Sequence, residues 1–434
     1  MPRIPGLRWW IAVLLFGASA LSFFDRQVLS VLAPQILSDL AISNREYSWA
    51  ISAFTLAYSV MFTLGGRLID RVGTRLGLGI TVAFWTISSF LHALTQNAAQ
   101  LTVFRLMLGV GEGGCFPGAA KGILEWFPAR ERALAMGIAT TGGSAFGAVF
   151  APPLIVFASQ SVGWRGAFVA TGVLGVAWVL CWFLFFRQPE RSPWITDAER
   201  ERIATERSID AKPASESTNE PVWRWTELLG RNEVWGLLGT RFLLDPVFYF
   251  YMFWIPQYLH EERGASLEDI GRVAWIPFLT LGIASMLGGA VSDTLVRRGW
   301  SINRARKTIM AGAALLTPVS ILSLVTPDLT AAVALLGVLM FAHGFWMTNY
   351  MTMIGDLFPS STVATVVGLS GTAGGIGGFL SSLLIGSIVD LVSFGPMFVI
   401  CGVLYPLGFV TLSLTIPKVQ RLSAEMQIAG RQTR

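Results

Sequence analysis

Long apolar stretches recur along almost all of the 434 residues of this chain. A helix that crosses a membrane needs about 20 mainly apolar residues, and twelve stretches reach that length. Backbone polar groups cannot stay unbonded in hydrocarbon, so we predict an all-α membrane protein with twelve transmembrane helices. The predicted spans are about 9–38, 46–66, 76–95, 100–123, 133–158, 166–187, 231–259, 268–294, 306–326, 329–356, 361–390 and 394–416.

The composition excludes several other classes of protein. A chain that is 53% hydrophobic and only 14% charged is too apolar for a water-soluble globule. Its three cysteines lack the spacing of a disulfide framework or a zinc site. The sequence also contains no nucleophile–base pair and no phosphate-binding loop. We therefore expect no enzyme activity, no metal and no cofactor.

One hydrophilic stretch, 188–230, interrupts the apolar pattern and is rich in proline and charge. This composition indicates a surface loop, with room for one amphipathic helix. The loop divides the spans six and six, so both termini lie on the same side. The predicted organisation is a first half at 1–187, a central loop at 188–230, a second half at 231–417 and a tail at 418–434.

The two sides of the membrane share the basic residues unevenly. Of the 32 lysines and arginines, most fall in loops on the side of the termini. The opposite side receives only Arg45, Arg165, Arg263 and Arg272. The positive-inside rule then predicts cytoplasmic termini and a cytoplasmic central loop, in the inner (plasma) membrane. The same asymmetry accounts for the net charge of +5 without a nucleic-acid partner.

Two sequence patterns repeat between the halves. The pattern Gly-x-(Leu/Val)-x-Asp that begins at Gly66 recurs 223 residues later at Gly289. The pair Phe127-Pro128, with three glycines after it, recurs 231 residues later at Phe358. Two homologous six-helix halves around a site near the middle of the membrane are the architecture of secondary transporters.

Four ionisable residues lie within predicted spans 1 and 4, namely Asp25, Arg26, Arg105 and Glu112. A turn of about 100° per residue places Arg105 and Glu112 on one face of helix 4. A rise of about 1.5 Å per residue places Asp25 at a depth similar to that of Arg105. We predict that the four residues form one cluster and that the glycine-rich segment 109–114 clears space around it.

This cluster indicates a route to proton coupling. It is formally neutral when both acids are ionised, and protonating one acid leaves a net positive charge that favours an anionic substrate. The alternative is a salt-bridge network that only holds helices 1 and 4 together. Ionisable groups within a membrane mark a substrate or proton path by default, so we assign proton coupling to Asp25 and Glu112.

Segment 66–75, Gly-Arg-Leu-Ile-Asp-Arg-Val-Gly-Thr-Arg, resembles the signature loop between helices 2 and 3 of the major facilitator superfamily. The resemblance implies that superfamily's fold of two six-helix repeats. It also implies a gating latch at the cytoplasmic face rather than a set of substrate ligands. The latch residues are Asp70, Arg71, Arg75 and, in the repeat, Asp293.

Within that superfamily the chain is similar to the anion:cation symporter family over nearly its whole length. The similarity is carried by Asp25-Arg26, by the run Gly-Glu-Gly-Gly-Cys-Phe-Pro-Gly at 111–118, and by the segment 245–256, which looks most like hexuronate transporters. It implies that Arg26 binds the substrate carboxylate and that Arg105 tunes the helix 4 glutamate. It further implies that Tyr58 hydrogen-bonds the substrate and that Asp25 and Glu112 are protonatable.

Several residues of the second half permit two interpretations. Arg241 and Asp245 have the spacing of an ion pair on one helix, which is either structural or part of a gate. Tyr249 either lines the cavity or packs in the core. Other candidate substrate contacts, with packing as the alternative for each, are Trp346, Asn349, Ser370 and Thr372.

We therefore predict a proton-coupled symporter that imports an organic anion, namely a hexuronate or a related sugar acid such as an aldonate or aldarate. Its partners are the anion, protons and the lipid bilayer, and we expect a monomer. Two alternatives stay open. One is a transporter of a non-sugar carboxylate or another organic anion, and the other is a transporter-like sensor of sugar acids.

Overall fold

The computed structural model describes residues 3–210, 223 and 225–422. Nearly all of them are helical. Before the central loop the helices are Leu7–Leu40 (α1), Asn44–Val72 (α2), Thr74–His92 (α3), Ala98–Glu112 (α4), Cys115–Trp126 (α5), Ala129–Met136 (α6) and Gly143–Phe185 (α7). In the loop and after it they are Asp197–Asp210 (α8), Trp225–Leu229 (α9), Asn232–Arg263 (α10), Leu267–Val273 (α11), Ile276–Arg297 (α12), Ile302–Leu316 (α13), Leu329–Leu357 (α14), Ser360–Leu391 (α15) and Gly395–Thr415 (α16). A π-helical turn lies at Gly137–Gly142, and 3₁₀ turns lie at Pro189–Arg191 and Thr317–Leu324.

By length and composition, nine helical stretches of the described residues are able to cross a membrane. Predicted spans 133–158 and 166–187 both fall in one stretch, Leu134–Phe185. Gly163 divides that stretch with a φ of 72°, a backbone conformation that glycine adopts without steric cost. Predicted span 100–123 is broken into α4 and α5, and span 231–259 corresponds to α10. The all-helical fold is thus present, and the count of twelve spans stays a prediction.

Local sequence signals account for several of the helix starts. The hydroxyl of Ser43 accepts a hydrogen bond from the backbone N–H of Glu46, whose side chain bonds back to Ser43 to complete a capping box. Asn97 caps α4 and Asp328 caps α14 through their side-chain oxygens. Such caps satisfy backbone N–H groups that the first helical turn leaves unbonded.

The described residues form two compact units. The first takes 3–210 together with Met252–Trp275 and Ser382–Asp390, and the second takes the rest, including Ile276–Ser381. Helices α10 and α15 are therefore each shared between the units. Within the first unit α1 packs along α7 and α2 along α4, and within the second α12 packs along α14.

The predicted helix in the central loop is α8, which packs against the start of α1. The Glu199 carboxylate accepts hydrogen bonds from the backbone N–H of Leu7 at 3.0 Å and from the Arg8 guanidinium at 2.8 Å. Arg8 also donates to Glu131 at 2.9 Å. An acidic side chain at a helix N-terminus is stabilising, so this part of the loop is bound to the first unit.

Candidate functional site

The centre of the first unit contains a buried ion pair between α1 and α4. Arg26 Nε donates to Glu112 Oε2 at 2.6 Å, and the side chains are 4% and 0% exposed. Ser22, one turn before Arg26, donates its hydroxyl to the same carboxylate oxygen at 2.9 Å. The predicted meeting of helix 1 and helix 4 charges is therefore a direct hydrogen-bonded contact.

Aromatic rings surround the Arg26 guanidinium. Its central carbon lies 4.4 Å from the ring centroid of Tyr58 and 4.8 Å from that of Phe23. The Phe54 ring lies 5.4 Å away and stacks on Tyr58. A cation over aromatic faces is attracted by their quadrupoles, so these rings position Arg26 without supplying a second negative charge.

The other two charged residues of the predicted cluster are bonded differently. Asp25 accepts a hydrogen bond from the Ser89 hydroxyl of α3 at 3.0 Å. Arg105 is 1% exposed, and within the described residues none of its side-chain nitrogens has a hydrogen-bond partner. It lies within electrostatic range of Asp25 and Glu112. The site thus contains a fixed positive charge near both acids.

The glycines of α4 do not clear space around the charges as predicted. They let neighbouring helices approach the α4 backbone instead. A Cβ added at Gly111 would lie 2.6 Å from Trp85 Cβ, and one added at Gly113 would lie 2.6 Å from Met61 Cβ. The expectation was wrong because these glycine positions face α3 and α2 rather than an opening.

The predicted latch residues of the first half lie around the end of α2. Asp70 is exposed and pairs with Lys121 at 2.9 Å. Arg75 donates to the backbone carbonyl of Phe183 at 2.7 Å, and Arg71 is exposed. Of these residues, only Asp70 takes part in a described ion pair.

The repeat in the second half contains residues that the sequence analysis missed. Arg306 lies between two acids, 3.4 Å from the predicted Asp293 and 3.1 Å from Asp356. In the first half Glu125 accepts a hydrogen bond from the Thr74 hydroxyl at 2.6 Å. A signal was available, because an acid stands two residues before Phe-Pro in both repeats.

The predicted polar contacts of the second unit are largely engaged by neighbouring helices. Trp346 is fully buried, with its ring 5.6 Å from that of Tyr405 in α16. Asn349 donates to the Gly288 carbonyl of α12 at 3.2 Å. Tyr249 is half-buried beside Phe248. The hydroxyls of Ser370 and Thr372 donate to backbone carbonyls of their own helix, α15. Their assignment to a substrate site stays a prediction.

A comparison with protein families identifies the architecture. The sequence model of the Major Facilitator Superfamily matches residues 15–382 and 299–428. The chain belongs to this superfamily. Members of it are transporters, and this major facilitator is accordingly a multi-pass membrane transporter and not an enzyme.

Relatives of this major facilitator agree in the class of compound that they transport. It is 31% identical to the hexuronate transporter of Escherichia coli K12 over 94% of both chains. It is also 31% identical to the galacturonate transporter of Dickeya chrysanthemi, covering 73% of this chain and 90% of that one. The D-galactonate transporter of Escherichia coli O6:H1 is 27% identical over 96% of this chain and 98% of its own. These relatives are all sugar-acid transporters.

Solved structures agree on the fold. A bacterial homolog of the human lysosomal transporter Spinster, inward-facing and occupied, matches with a TM-score of 0.72 at 20% identity, over 95% of this chain and 96% of that one. A D-xylose-proton symporter matches with a TM-score of 0.70 at 16% identity, over 95% of this chain and 99% of that one. At such low identity the likeness concerns the fold alone.

Proposed function

We propose that this major facilitator imports a sugar-acid anion of the hexuronate class together with protons. The observation that carries the proposal is the Arg26–Glu112 pair, a buried cation neutralised by a carboxylate of another helix. The hexuronate, galacturonate and D-galactonate transporters among its relatives support the substrate class.

The pair provides a physical coupling between proton and anion. Protonation of Glu112 removes the charge that neutralises Arg26, which then attracts a carboxylate strongly in surroundings of low dielectric constant. A carboxylate matches the guanidinium fork with two parallel hydrogen bonds. Each ligand thus favours binding of the other, as linkage requires. Asp25 is the second proton-binding acid, and Arg105 keeps the local charge positive.

We assign recognition of the sugar hydroxyls to polar side chains of the predicted spans. Hydroxyl and amide groups distinguish a polyhydroxy acid from an apolar carboxylate, because a buried polar group left unbonded lowers affinity. The indole N–H of Trp346 is assigned with them. The assigned residues are Tyr58, Tyr249, Trp346, Asn349, Ser370 and Thr372.

We further propose twelve spans in two six-helix repeats, a monomer in the inner membrane, and cytoplasmic termini. The motifs repeated at offsets of 223 and 231 residues and the glycine-divided stretch Leu134–Phe185 support this count. Transport proceeds by alternating access, in which one half moves against the other. Asp70, Arg71, Arg75 and Asp293 form the latch of the gate.

Uptake into liposomes that contain the purified protein tests the proposal. Radiolabelled galacturonate accumulates when the interior is alkaline, and glucuronate and galactonate compete for its uptake. Arg26→Gln loses the charged hydrogen bonds to the carboxylate, and about 3 kcal/mol of lost interaction weakens affinity roughly 100-fold. The matched control is Arg272→Gln, which breaks an exposed ion pair with Glu268 and leaves uptake unchanged.

Two results would contradict this function. One is normal galacturonate affinity in Arg26→Gln, and the other is uptake that ignores the imposed pH gradient. Binding of galacturonate without accumulation would instead indicate a transporter-like sensor of sugar acids. Inhibition by benzoate but not by any sugar acid would indicate that the substrate is a non-sugar carboxylate or another organic anion.

A further inference from the structure

A second buried ion pair lies in α10, within the second unit. Arg241 Nε donates to Asp245 Oδ1 at 2.7 Å, and Arg241 Nη2 donates to Asp245 Oδ2 at 2.6 Å. The side chains are 13% and 9% exposed. Asp245 lies 13 residues from the start of α10 at Asn232, which is about 20 Å along the helix. The charges are therefore deep in a predicted span.

This pair does not connect two helices. Its residues are one turn apart on α10, whereas Arg26 and Glu112 belong to α1 and α4. Removing two charges from water costs several kcal/mol per ion, and apolar residues of similar volume often give equal or greater stability. A pair confined to one helix therefore has no packing function that apolar residues would not serve.

The titratable side chains that face the pair come from two other helices, α14 and α16, and from α10 itself. From α14 come His343 and Tyr350, whose ring lies 5.9 Å from the Arg241 guanidinium. From α16 comes Tyr405, which is hydrogen-bonded to His343 and lies within electrostatic range of both members of the pair. Tyr249 of α10 lies within electrostatic range of Arg241. None of these groups is an acid that would replace Asp245 as the partner of Arg241.

The fourth helix, α15, meets the carboxylate at a glycine. A Cβ added at Gly374 would overlap Asp245 Oδ2. The α15 backbone therefore comes directly against the carboxylate, and the charge state of Asp245 acts on α15 as well as on α10. Asp245 therefore lies on α10 and against α15, and each of these helices is shared between the units.

The internal repeat relates these residues to the acids of the first half. The 231-residue offset that joins the Phe-Pro pairs takes Glu112 to His343. The 223-residue offset takes Asp25 to position 248, one helical turn from Asp245. The second half thus carries titratable side chains at or near the positions of Asp25 and Glu112, although the sequence motifs around them differ.

We propose that Asp245 is a further proton-binding acid of the transport cycle, in addition to Asp25 and Glu112, and that Arg241 is the cation its protonation releases. The proposal rests on the proposed function. A proton from water adds to the Asp245 carboxylate and gives a neutral acid. The two hydrogen bonds from Arg241 lose their charged acceptor, and the net charge of the pair changes from zero to +1. Each anion is then transported with one more proton than the first-half acids bind.

The proton-to-solute ratio measured in liposomes tests the proposal. With the membrane potential clamped at zero, the galacturonate gradient that just balances each imposed pH gradient is determined, and its logarithm is plotted against the pH difference. The slope is the ratio. Asp245→Asn lowers the slope by one relative to the unchanged protein. The control is Glu268→Gln, which removes the acid of an exposed pair of the same spacing, Arg272–Glu268, and leaves the slope unchanged.

A second measurement needs no turnover. Proton uptake by the purified, weakly buffered protein is followed with a pH dye as galacturonate is added. Asp245→Asn, and the double variant Arg241→Gln/Asp245→Asn that leaves no unpaired cation, each take up one proton fewer per galacturonate bound. Because the amide imitates the protonated acid, both variants still bind galacturonate.

The outcomes separate the two proposals. An unchanged slope and unchanged proton uptake in Asp245→Asn overturn the role of Asp245 alone. A folded Asp245→Asn variant and a folded double variant that bind no galacturonate at any pH also overturn it. Failure of the unaltered protein to accumulate galacturonate under a pH gradient overturns the proposed function itself.

Discussion

At the scale of single residues, the buried charges of the first unit are distinguished by their partners. Arg26 has a carboxylate partner and an aromatic surround, Asp25 has a hydroxyl, and Arg105 has no hydrogen-bonded partner in the described part of the chain. A buried cation without a hydrogen bond is costly. Arg105 therefore acts on the site through its charge, and the Arg26–Glu112 bond is the contact that protonation changes directly.

Glu112→Gln tests whether protonation acts through the Arg26–Glu112 pair. Glutamine has the shape of the protonated acid and cannot ionise, so this side chain no longer contributes to the pH dependence of galacturonate affinity. Exchange of galacturonate across the membrane persists. A gradient of one pH unit supplies about tenfold accumulation per proton, and the variant loses that factor. Concentrative uptake and exchange are compared in the same liposomes.

The control for that comparison is Asp197→Asn, which removes an exposed carboxylate of α8 and keeps accumulation at the level of the unaltered protein. Accumulation by Glu112→Gln equal to that of the unaltered protein would show that the proton binds elsewhere.

At the scale of helices, glycine determines how closely α4 packs against its neighbours. Membrane helices associate by close contact of small residues, because lipid offers no hydrophobic gain on association. At Gly111 the side of α4 meets the backbone and Cβ of Trp85 in α3. This contact holds α4 in place and, with it, Arg105 and Glu112.

Gly111→Ala is expected to destabilise the protein. The added methyl group would lie 2.6 Å from Trp85 Cβ and 2.8 Å from Trp85 N. Overpacking of this kind costs about 1–3 kcal/mol, which lowers the melting temperature measured by tryptophan fluorescence in detergent. Gly312→Ala is the matched change in α13, where an added Cβ has no described atom within 4 Å. Alanine has a higher helix propensity than glycine, by about 1 kcal/mol, so Gly312→Ala maintains or raises the melting temperature. Equal effects of the two substitutions would refute the packing argument.

At the scale of the whole molecule, the proposed mechanism depends on which side each loop faces. The positive-inside rule assigns the α3–α4 connection to the outside and α8 to the cytoplasm. Both segments have exposed positions, such as Gln96 and Asp197.

Cysteine labelling tests this topology. In a background without Cys115, Cys181 and Cys401, Gln96→Cys reacts with a membrane-impermeant maleimide in intact cells. Asp197→Cys reacts only after the membrane is opened. Labelling of both positions from the outside, or of Asp197→Cys alone, would reject the predicted orientation.

Sequence alone determined the class of this protein because its main signals are local. Stretches of spanning length follow from residues near one another in the chain, and the charge bias of the loops and the two internal repeats follow from comparing such short segments along it. The same applies to the position of Asp25, Arg26, Arg105 and Glu112 within spans 1 and 4. The position of Arg105 and Glu112 on one face of a helix follows from the helix period alone.

Tertiary structure decided which groups bond to which, because each pairing joins helices far apart in sequence. It selected Glu112 rather than Asp25 as the partner of Arg26. It filled the glycine face of α4 with neighbouring helices and bonded Arg306 to Asp356. Helix period and burial restrict the face on which a side chain lies, but only packing determines which atom of another helix lies within hydrogen-bonding distance.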